Sequence, residues 1–218
     1  MPIQHHLSDA LLTAYAAGTL PEAFSLAIAS HISMCDDCRA AVAAHEALGG
    51  AVLDAQGGDV ALSDGALAAM MARLDGLPVA PAMPAAAQPA HPILPAPLVD
   101  YVGADMSKIK WRSLGMGVRQ AILPTKDRGA SARLLYIPAG QAVPDHGHRG
   151  MELTLVLQGA FRDDKQRFAR GDIEIADQAD QHTPVAEAGE DCICLAVTDA
   201  PLRFTSMVPR LLQPMFRI

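Results

Sequence analysis

The interpretation of the C-terminal half of the chain depends on residues 140–159, GQAVPDHGHRGMELTLVLQG, in which two histidines and a glutamate stand between flanking glycines. His146 and His148 are separated by one residue, so on a strand both imidazoles face the same side. In an antiparallel barrel both would point inward. Glu152 would lie on the next strand, and His182 would lie on a strand across the pocket. Three imidazoles and one carboxylate suit iron, manganese, nickel or zinc. The sequence therefore predicts a divalent metal site in the barrel, with zinc among the candidates.

Short apolar runs with β-branched residues surround this stretch, separated by Gly, Pro and Asp. They lie at residues 117–123, 132–137, 153–157, 172–176, 192–197 and 202–207. Runs of this length at this spacing, without helical patterns between them, indicate an antiparallel barrel or sandwich. Cys192 and Cys194 lie in one run and would face the same side. They can be interpreted as a redox pair or as two small buried residues, and the second is the commoner case in a strand.

A proline-rich segment separates the barrel from the residues before it. Seven prolines, interleaved with alanine, lie from Pro78 to Pro97. Proline at this density sustains neither a helix nor the interior of a sheet. We therefore predict a linker over residues 78–97, a helical domain over residues 1–77 and the barrel over residues 98–218. The fold class would be α+β multidomain, with an all-α domain before an all-β one.

The residues before the linker show helical patterns with recognisable starts and stops. Ser, Thr and Pro stand where helices commonly begin, and glycine stands where they commonly end. We expect four helices with these limits: Ser8 to Gly18, the Thr19–Glu22 capping box to His31, Ala40 to the Gly49–Gly50 pair, and Ser63 to Gly76.

His31, Cys35 and Cys38 form the strongest local pattern in the helical domain. Residues four apart on a helix share a face, so His31 and Cys35 can converge on one ion, and Cys38 follows after the tight turn of the Cys-x2-Cys spacing. We therefore predict a structural zinc site. A redox dithiol is the alternative, but no βαβ pattern surrounds the two cysteines. Zinc usually takes a fourth ligand, and spacing leaves several candidates open: His5, His6, His45 and acidic side chains.

The net charge of −7 lies entirely at the N-terminal end. Residues 1–85 hold two basic and nine acidic side chains, whereas the remainder is balanced. An acidic segment repels nucleic acid and anionic lipid, and it would be steered toward a basic protein surface. We see neither a signal peptide nor an apolar run of the ~20 residues that a membrane helix needs. We therefore expect a cytoplasmic protein that binds neither nucleic acid nor membrane.

The histidine-rich stretch resembles the first motif of the cupin family, G-x5-H-x-H-x3-E-x6-G, at every position. The second family motif has the form G-x5-P-x-G-x2-H-x3-N, and the chain keeps Gly171 and His182 in register with it. Asp177, Ala179 and Ala186 stand where the family usually has Pro, Gly and Asn. The resemblance implies a cupin barrel that keeps its metal ligands but has a different turn before His182.

The two halves together resemble the ChrR-type zinc-binding anti-sigma factors along most of the chain. The likeness rests on HHLSDALLTAYAAG at residues 5–18, on the cluster around Cys35 and Cys38, and on VPDHGH at residues 143–148. This resemblance implies that His6 is the fourth zinc ligand, a choice that spacing alone leaves open.

The same resemblance implies a regulatory function. The helical domain would bind an extracytoplasmic-function sigma factor and block its docking on the RNA polymerase core. The cupin domain would be needed to release the sigma factor in response to singlet oxygen and related oxidants. We place the inhibitory surface on helix faces within residues 8–50.

Two other functions remain open on the sequence alone. One is a metal-dependent cupin oxygenase or isomerase with an accessory helical zinc domain, and the other is a small-molecule sensor without turnover. Open coordination positions on the barrel metal favour an enzyme. However, no second acidic or basic residue can be placed in the pocket as a general base. We therefore expect a binding protein without catalytic residues.

Overall fold

The computed structural model describes residues 2–58, 61–76, 93–126 and 129–204. The helices in these ranges are α1 (Asp9–Ala16), α2 (Glu22–Ile32), α3 (Asp36–Gln56), α4 (Ala66–Asp75) and α5 (Ala96–Val102), and a 3₁₀ turn follows at Met106–Lys108. The strands are β1 (Arg112–Gly115), β2 (Val118–Ile122), β3 (Ser131–Ile137), β4 (His146–Gly147), β5 (Glu152–Gln158), β6 (Ala160–Arg162), β7 (Arg167–Ala169), β8 (Ile173–Ala176), β9 (Gln181–His182), β10 (Val185–Ala186), β11 (Cys192–Thr198) and β12 (Arg203–Phe204). Helices first and strands after confirm the predicted α+β class.

The strands form one large antiparallel sheet and two small ones. The large sheet has the order β1-β2-β3-β11-β5-β8, and the small sheets have the orders β10-β6-β7 and β12-β4-β9. All six apolar runs predicted from the sequence fall on these strands, the last of them being described only to residue 204. Because β4 pairs with β9, His146 lies directly opposite His182.

The central strands of the large sheet are buried on both faces. Leu153, Leu155 and Leu157 of β5 belong to a hydrophobic cluster that also contains Ile28 of α2. Val156, between them in sequence, belongs to a second cluster with Phe161 and Phe168. Successive side chains of a strand point to opposite faces, so one face packs on the helices and the other packs inside the barrel. Burial on both faces explains why these strands are continuous apolar runs.

Helix α2 joins the helical half of the chain to the barrel. It packs against β3, β5 and β11 of the large sheet as well as against α1, α3 and α5. Ala23, Ala27 and Ile28 on this helix are completely buried. The two halves therefore share one core. Burial of each large aliphatic side chain in this core contributes about 1.5–3 kcal/mol.

Helix α5 begins at Ala96, inside the stretch predicted as a linker. It packs on α2, and the hydroxyl of Tyr101 donates a hydrogen bond of 2.7 Å to the carboxylate of Glu22. Residues 78–92 of that stretch lie outside the described residues.

Helix α1 begins as predicted, whereas α2 does not. The hydroxyl oxygen of Ser8 accepts a hydrogen bond from the backbone N–H of Leu11 at 3.4 Å. The capping box predicted for Thr19 is wrong, because its hydroxyl donates instead to the carbonyl of Ala14 at 3.1 Å. Pro21 is the N-cap of α2 and makes no capping side-chain bond.

Two further helix limits differ from expectation. Helix α3 does not stop at Gly49 and Gly50 but continues to Gln56. Each glycine in a helix interior costs only about 1 kcal/mol of helix stability. The strong helix formers on both sides outweigh this cost. Ser63 is not the cap of α4, since Gly65 is its N-cap, with φ +106°. The predicted end of that helix, at Gly76, is confirmed.

Candidate metal centres

Four potential metal ligands converge at the N-terminal end. His6, His31, Cys35 and Cys38 each offer one donor atom, and these atoms all lie within 4.8 Å of one another. The distances are 3.3 Å from His31 Nε2 to Cys38 Sγ, 3.3 Å from His6 Nδ1 to Cys35 Sγ and 3.6 Å from His6 Nδ1 to Cys38 Sγ. A tetrahedral zinc ion with ordinary Zn–S and Zn–N bonds requires N–S edges of about 3.6 Å. The donor set and its spacing therefore fit zinc.

The local fold explains why these side chains meet. His31 lies in the last turn of α2, Cys35 is the N-cap of α3, and Cys38 lies in the first turn of α3. His6 arrives from the extended segment before α1, residues 2–7, which we call the N-terminal arm. His5 points elsewhere, because its ring packs against Phe168 in a tilted arrangement with centroids 4.3 Å apart. His45 makes a contact with Thr13 instead.

The environment sets the protonation of two of these ligands. Burial lowers the pKa of His31 to about 4, so its imidazole is neutral at physiological pH. Its Nδ1 donates a hydrogen bond of 3.0 Å to the carbonyl of Gly171, which leaves the Nε2 lone pair free toward the cysteines. Burial raises the pKa of the Cys38 thiol to about 11. A divalent cation would displace that proton, and two thiolates would neutralise the ion.

A second group of donors lies inside the barrel. The Nε2 atom of His182 is 3.3 Å from Nε2 of His146 and 3.3 Å from Nε2 of His148. All three rings are buried. Metal–nitrogen bonds of about 2.05 Å give edges of about 3.3 Å in a tetrahedral arrangement. Burial lowers the pKa of both His146 and His148, so they are available as neutral ligands.

Glu152 lies beside this group rather than within it. One carboxylate oxygen is 3.6 Å from His148 Nδ1, and the other accepts a hydrogen bond of 3.0 Å from the hydroxyl of Thr154. The structure thus brings together three of the four predicted barrel ligands, with the fourth next to them. Its role as a metal ligand stays a prediction.

The sequence pattern did not single out two carboxylates near His182, the buried Glu174 and the half-buried Asp163. Glu174 on β8 accepts a hydrogen bond from Nδ1 of His182 at 3.1 Å, and Asp163 lies 4.0 Å from the same nitrogen. Burial opposes protonation of His182, but Glu174, Glu152 and Asp163 outweigh it and raise its pKa. The bond to Glu174 directs Nε2 of His182 toward the other two imidazoles. An acidic residue inside an otherwise apolar strand was the signal available in the sequence.

Cys192 and Cys194 face the same side of β11, as predicted. Their sulfur atoms are 3.5 Å apart and buried inside the barrel with Val156 and Phe161. The hydrogen bond between Cys194 and Cys192, together with burial, raises the pKa of the Cys194 thiol well above its ordinary value. These thiols pack as small apolar groups.

The end of α3 and all of α4 present apolar side chains to solvent. None of the residues of α4 is buried, and its Leu67, Met70, Met71 and Leu74 are each at least half exposed. These positions follow the i, i+3, i+4, i+7 spacing of one helix face. Similarly exposed side chains lie near the end of α3: Leu48, Val52 and Leu53. We call these seven residues the exposed apolar face.

Comparison with known proteins gives a consistent picture. A sequence family described as the ChrR cupin-like domain matches residues 100–201. The chain is 64% identical to the anti-sigma-E factor ChrR of Cereibacter sphaeroides, and the match covers 100% of both chains. It is also similar to a solved structure of Rhodobacter sphaeroides SigE in complex with the anti-sigma factor ChrR. There the identity is 61%, the TM-score is 0.77, and the match covers 90% of this chain and 99% of the other.

Among the described helices, none combines the length and the apolar character needed to cross a membrane. The relatives are anti-sigma factors, so the comparisons favour a regulatory binding protein over the metal-dependent enzyme.

Proposed function

We propose, from the premise that the chain belongs to the ChrR family of anti-sigma factors, that it binds an extracytoplasmic-function sigma factor and holds it inactive. The helices of the N-terminal half would supply the binding surface, and zinc would be held by His6, His31, Cys35 and Cys38. Release would follow exposure to singlet oxygen or related oxidants. Because sigma factors act where RNA polymerase is, the proposal places the protein in the cytoplasm.

The observation that carries this proposal is the exposed apolar face. Isolated exposed apolar residues are ordinary, but four Leu and Met side chains on one face of α4, with three more near the end of α3, mark an interaction site. A helix of ten residues that buries none of them gains its stability from a partner rather than from this chain. The face begins at Leu48, near the end of the range 8–50 expected from the sequence. The binding surface therefore extends onto α4.

Charge supports a sigma factor as the partner. Residues 1–85 hold two basic and nine acidic side chains, and a protein that binds DNA presents basic faces. Opposite charge around an apolar contact speeds association and excludes wrong partners more than it adds affinity. The apolar face would thus supply affinity, and the acidic surroundings would supply selectivity.

Zinc at the N-terminal site would stabilise the helices that carry the proposed binding surface. Its predicted ligands lie on the N-terminal arm, on α2 and on α3, so one ion would fix three segments relative to each other. Metal binding contributes folding free energy directly, so the ion would add to the stability that these segments gain from packing on the sheet. We assign the N-terminal zinc a structural role. The barrel site would hold a divalent metal through His146, His148 and His182, with Glu152 as the fourth ligand.

The test replaces apolar side chains of α4 by charged ones. Full burial of a Leu or Met is worth about 1.5–3 kcal/mol, so Met70→Glu with Leu74→Glu should weaken sigma binding by about 100-fold or more. Binding is measured by titrating the purified zinc-loaded chain with its sigma factor.

Met116→Glu is the matched control, because Met116 is 73% exposed on the barrel. It adds one negative charge to an exposed methionine away from the helices, so it is compared with Met70→Glu alone as well as with the double variant. The proposal fails if the α4 variant binds the sigma factor as tightly as this control does.

A further inference from the structure

A single stretch of four residues contacts a ligand of each metal centre. At one end, the carbonyl of Gly171 accepts the hydrogen bond from Nδ1 of His31 at 3.0 Å. At the other end, the carboxylate of Glu174 accepts the hydrogen bond from Nδ1 of His182 at 3.1 Å. We call residues 171–174 the bridging segment.

The middle of the bridging segment holds the N-terminal arm. One carboxylate oxygen of Asp172 accepts backbone hydrogen bonds from Gln4 at 2.6 Å and from His5 at 3.0 Å. The backbone N–H of Ile173 donates to the carbonyl of His5 at 3.3 Å. The next residue along the arm is His6, so the barrel supports two of the four predicted zinc ligands.

The bridging segment is packed too tightly to absorb a shift at either end. Gly171, Asp172, Ile173 and Glu174 are all buried. Ile173 is only 2% exposed and belongs to the core that the helices share with the sheet. Packed interiors transmit small displacements rather than dissipating them. Hydrogen-bond partners of metal ligands in turn set ligand orientation and metal affinity.

We propose that the bridging segment couples the two metal centres. The hydrogen bond from His182 to Glu174 in the barrel would then raise the affinity of the N-terminal site for its metal. The inference rests on the metal sites of the proposed function and adds the residues that connect them. Coupling of binding free energies is reciprocal, so metal at the N-terminal site would tighten the barrel site equally.

The experiment uses cobalt(II) as the probe in the full-length chain. The predicted ligands of the barrel site include no thiol, and every variant is made in a Cys192→Ala, Cys194→Ala background that removes the two thiols of the barrel interior. The thiolate-to-cobalt absorption band then reports the N-terminal site alone. Affinity is measured by competition with a chelator for the parent chain, Asp172→Ala, Glu174→Ala and Glu174→Gln. Asp191→Ala is the control, since Asp191 accepts a backbone hydrogen bond from Ala139 at 2.9 Å on the barrel.

We expect Asp172→Ala to lower cobalt affinity at the N-terminal site by about 10-fold or more. We expect Glu174→Ala to lower it by about fivefold or more, although Glu174 contacts no ligand of that site. Glu174→Gln keeps an acceptor oxygen for His182 and should retain parental affinity, as should Asp191→Ala. Circular dichroism of each variant confirms that it is folded.

Two outcomes are distinguishable failures. If the parent chain gives no thiolate–cobalt band, the predicted N-terminal site is wrong and the inference falls with it. If the band forms but Glu174→Ala binds cobalt as the parent does, the metal site stands and the coupling is overturned. Equal losses in Glu174→Ala and Glu174→Gln would also overturn it, because the hydrogen bond would not be the cause.

Discussion

A Cβ atom added to Gly171 would lie 2.7 Å from Cγ1 of Ile3, closer than a Cβ atom approaches a non-bonded carbon in folded proteins. The backbone of Gly171 also has φ +91°, a conformation that side-chain-bearing residues rarely adopt. The N-terminal arm therefore lies against the barrel at a position that only glycine fits.

Gly171→Ala should displace the N-terminal arm and speed loss of zinc from the N-terminal site. The added methyl group pushes Ile3 away and shifts the carbonyl that orients His31, so we expect zinc to leave about 10-fold faster. The rate is followed with a colorimetric chelator. Gly189→Ala is the control, since Gly189 also has a positive φ of +106° but nothing lies within 4 Å of its added Cβ. Equal rates in the two variants would contradict the prediction.

Replacing Cys35 and Cys38 together by Ser should abolish both zinc retention and sigma binding. The two thiolates supply the charge that holds the ion, and the surface of α3 depends on that ion for its position. Metal content and co-purification with the sigma factor are measured on the same preparations. Cys192→Ala with Cys194→Ala removes two thiols from the barrel interior and should leave both readouts intact. Stoichiometric co-purification of the Ser variant with the sigma factor would disprove the link between zinc and binding.

Zinc affinity at the N-terminal site should increase as the pH rises from about 6 to 8. The pKa of Cys38 in the metal-free chain is about 11, so zinc must displace its proton throughout this range. The pKa of His31 is about 4, so its imidazole is already neutral and adds no further dependence. Each proton displaced contributes about one tenfold gain in affinity per pH unit. Chelator competition at several pH values measures the slope, and a flat profile would refute the prediction.

Ile28→Ala should destabilise the helices and the barrel together. Ile28 is completely buried on α2 in the core shared with the sheet, and such a truncation costs about 2–5 kcal/mol of unfolding free energy. Urea unfolding is followed by circular dichroism for the helices and by fluorescence of the single Trp111 for the barrel. Both midpoints should fall equally. Leu67→Ala, at a position 75% exposed, should change stability by about 0.5 kcal/mol or less.

Glu152→Gln should weaken metal binding in the barrel by about 10-fold or more. The carboxylate lies beside His148, and either direct ligation or support of that imidazole requires its charge. Metal retained per chain after dialysis against a chelator is the measurement, with the exposed Glu190→Gln as the control. Retention equal to that of the control would show that the three imidazoles hold the metal alone.

The sequence predicts the parts of each centre that depend on local spacing. His31, Cys35 and Cys38 meet because helix ends and a tight turn place them together. His146 on β4 and His148 directly after it lie two residues apart, and their rings meet at His182. The resemblance to anti-sigma factors then selects His6, which the structure places with them.

The rest depends on tertiary packing that no local pattern records. The contacts of Gly171 with His31 and of Asp172 with the N-terminal arm join residues more than 130 positions apart. Nothing in the spacing of Glu174 ties it to His182. Gly49 and Gly50 show the opposite case. They form a strong local signal for the end of a helix, but α3 continues through them.

Because the large sheet is buried on both faces, the barrel cannot be separated from the helices without exposing apolar side chains. A barrel fragment beginning at residue 98 would expose the side chains of Leu153, Leu155 and Leu157 to water. A sheet with such a face tends to associate with other copies, so that fragment should aggregate. The same packing limits substitutions in the shared core. A change of side-chain volume on α2 should therefore require a compensating change on β5 or β11, the strands on which α2 packs.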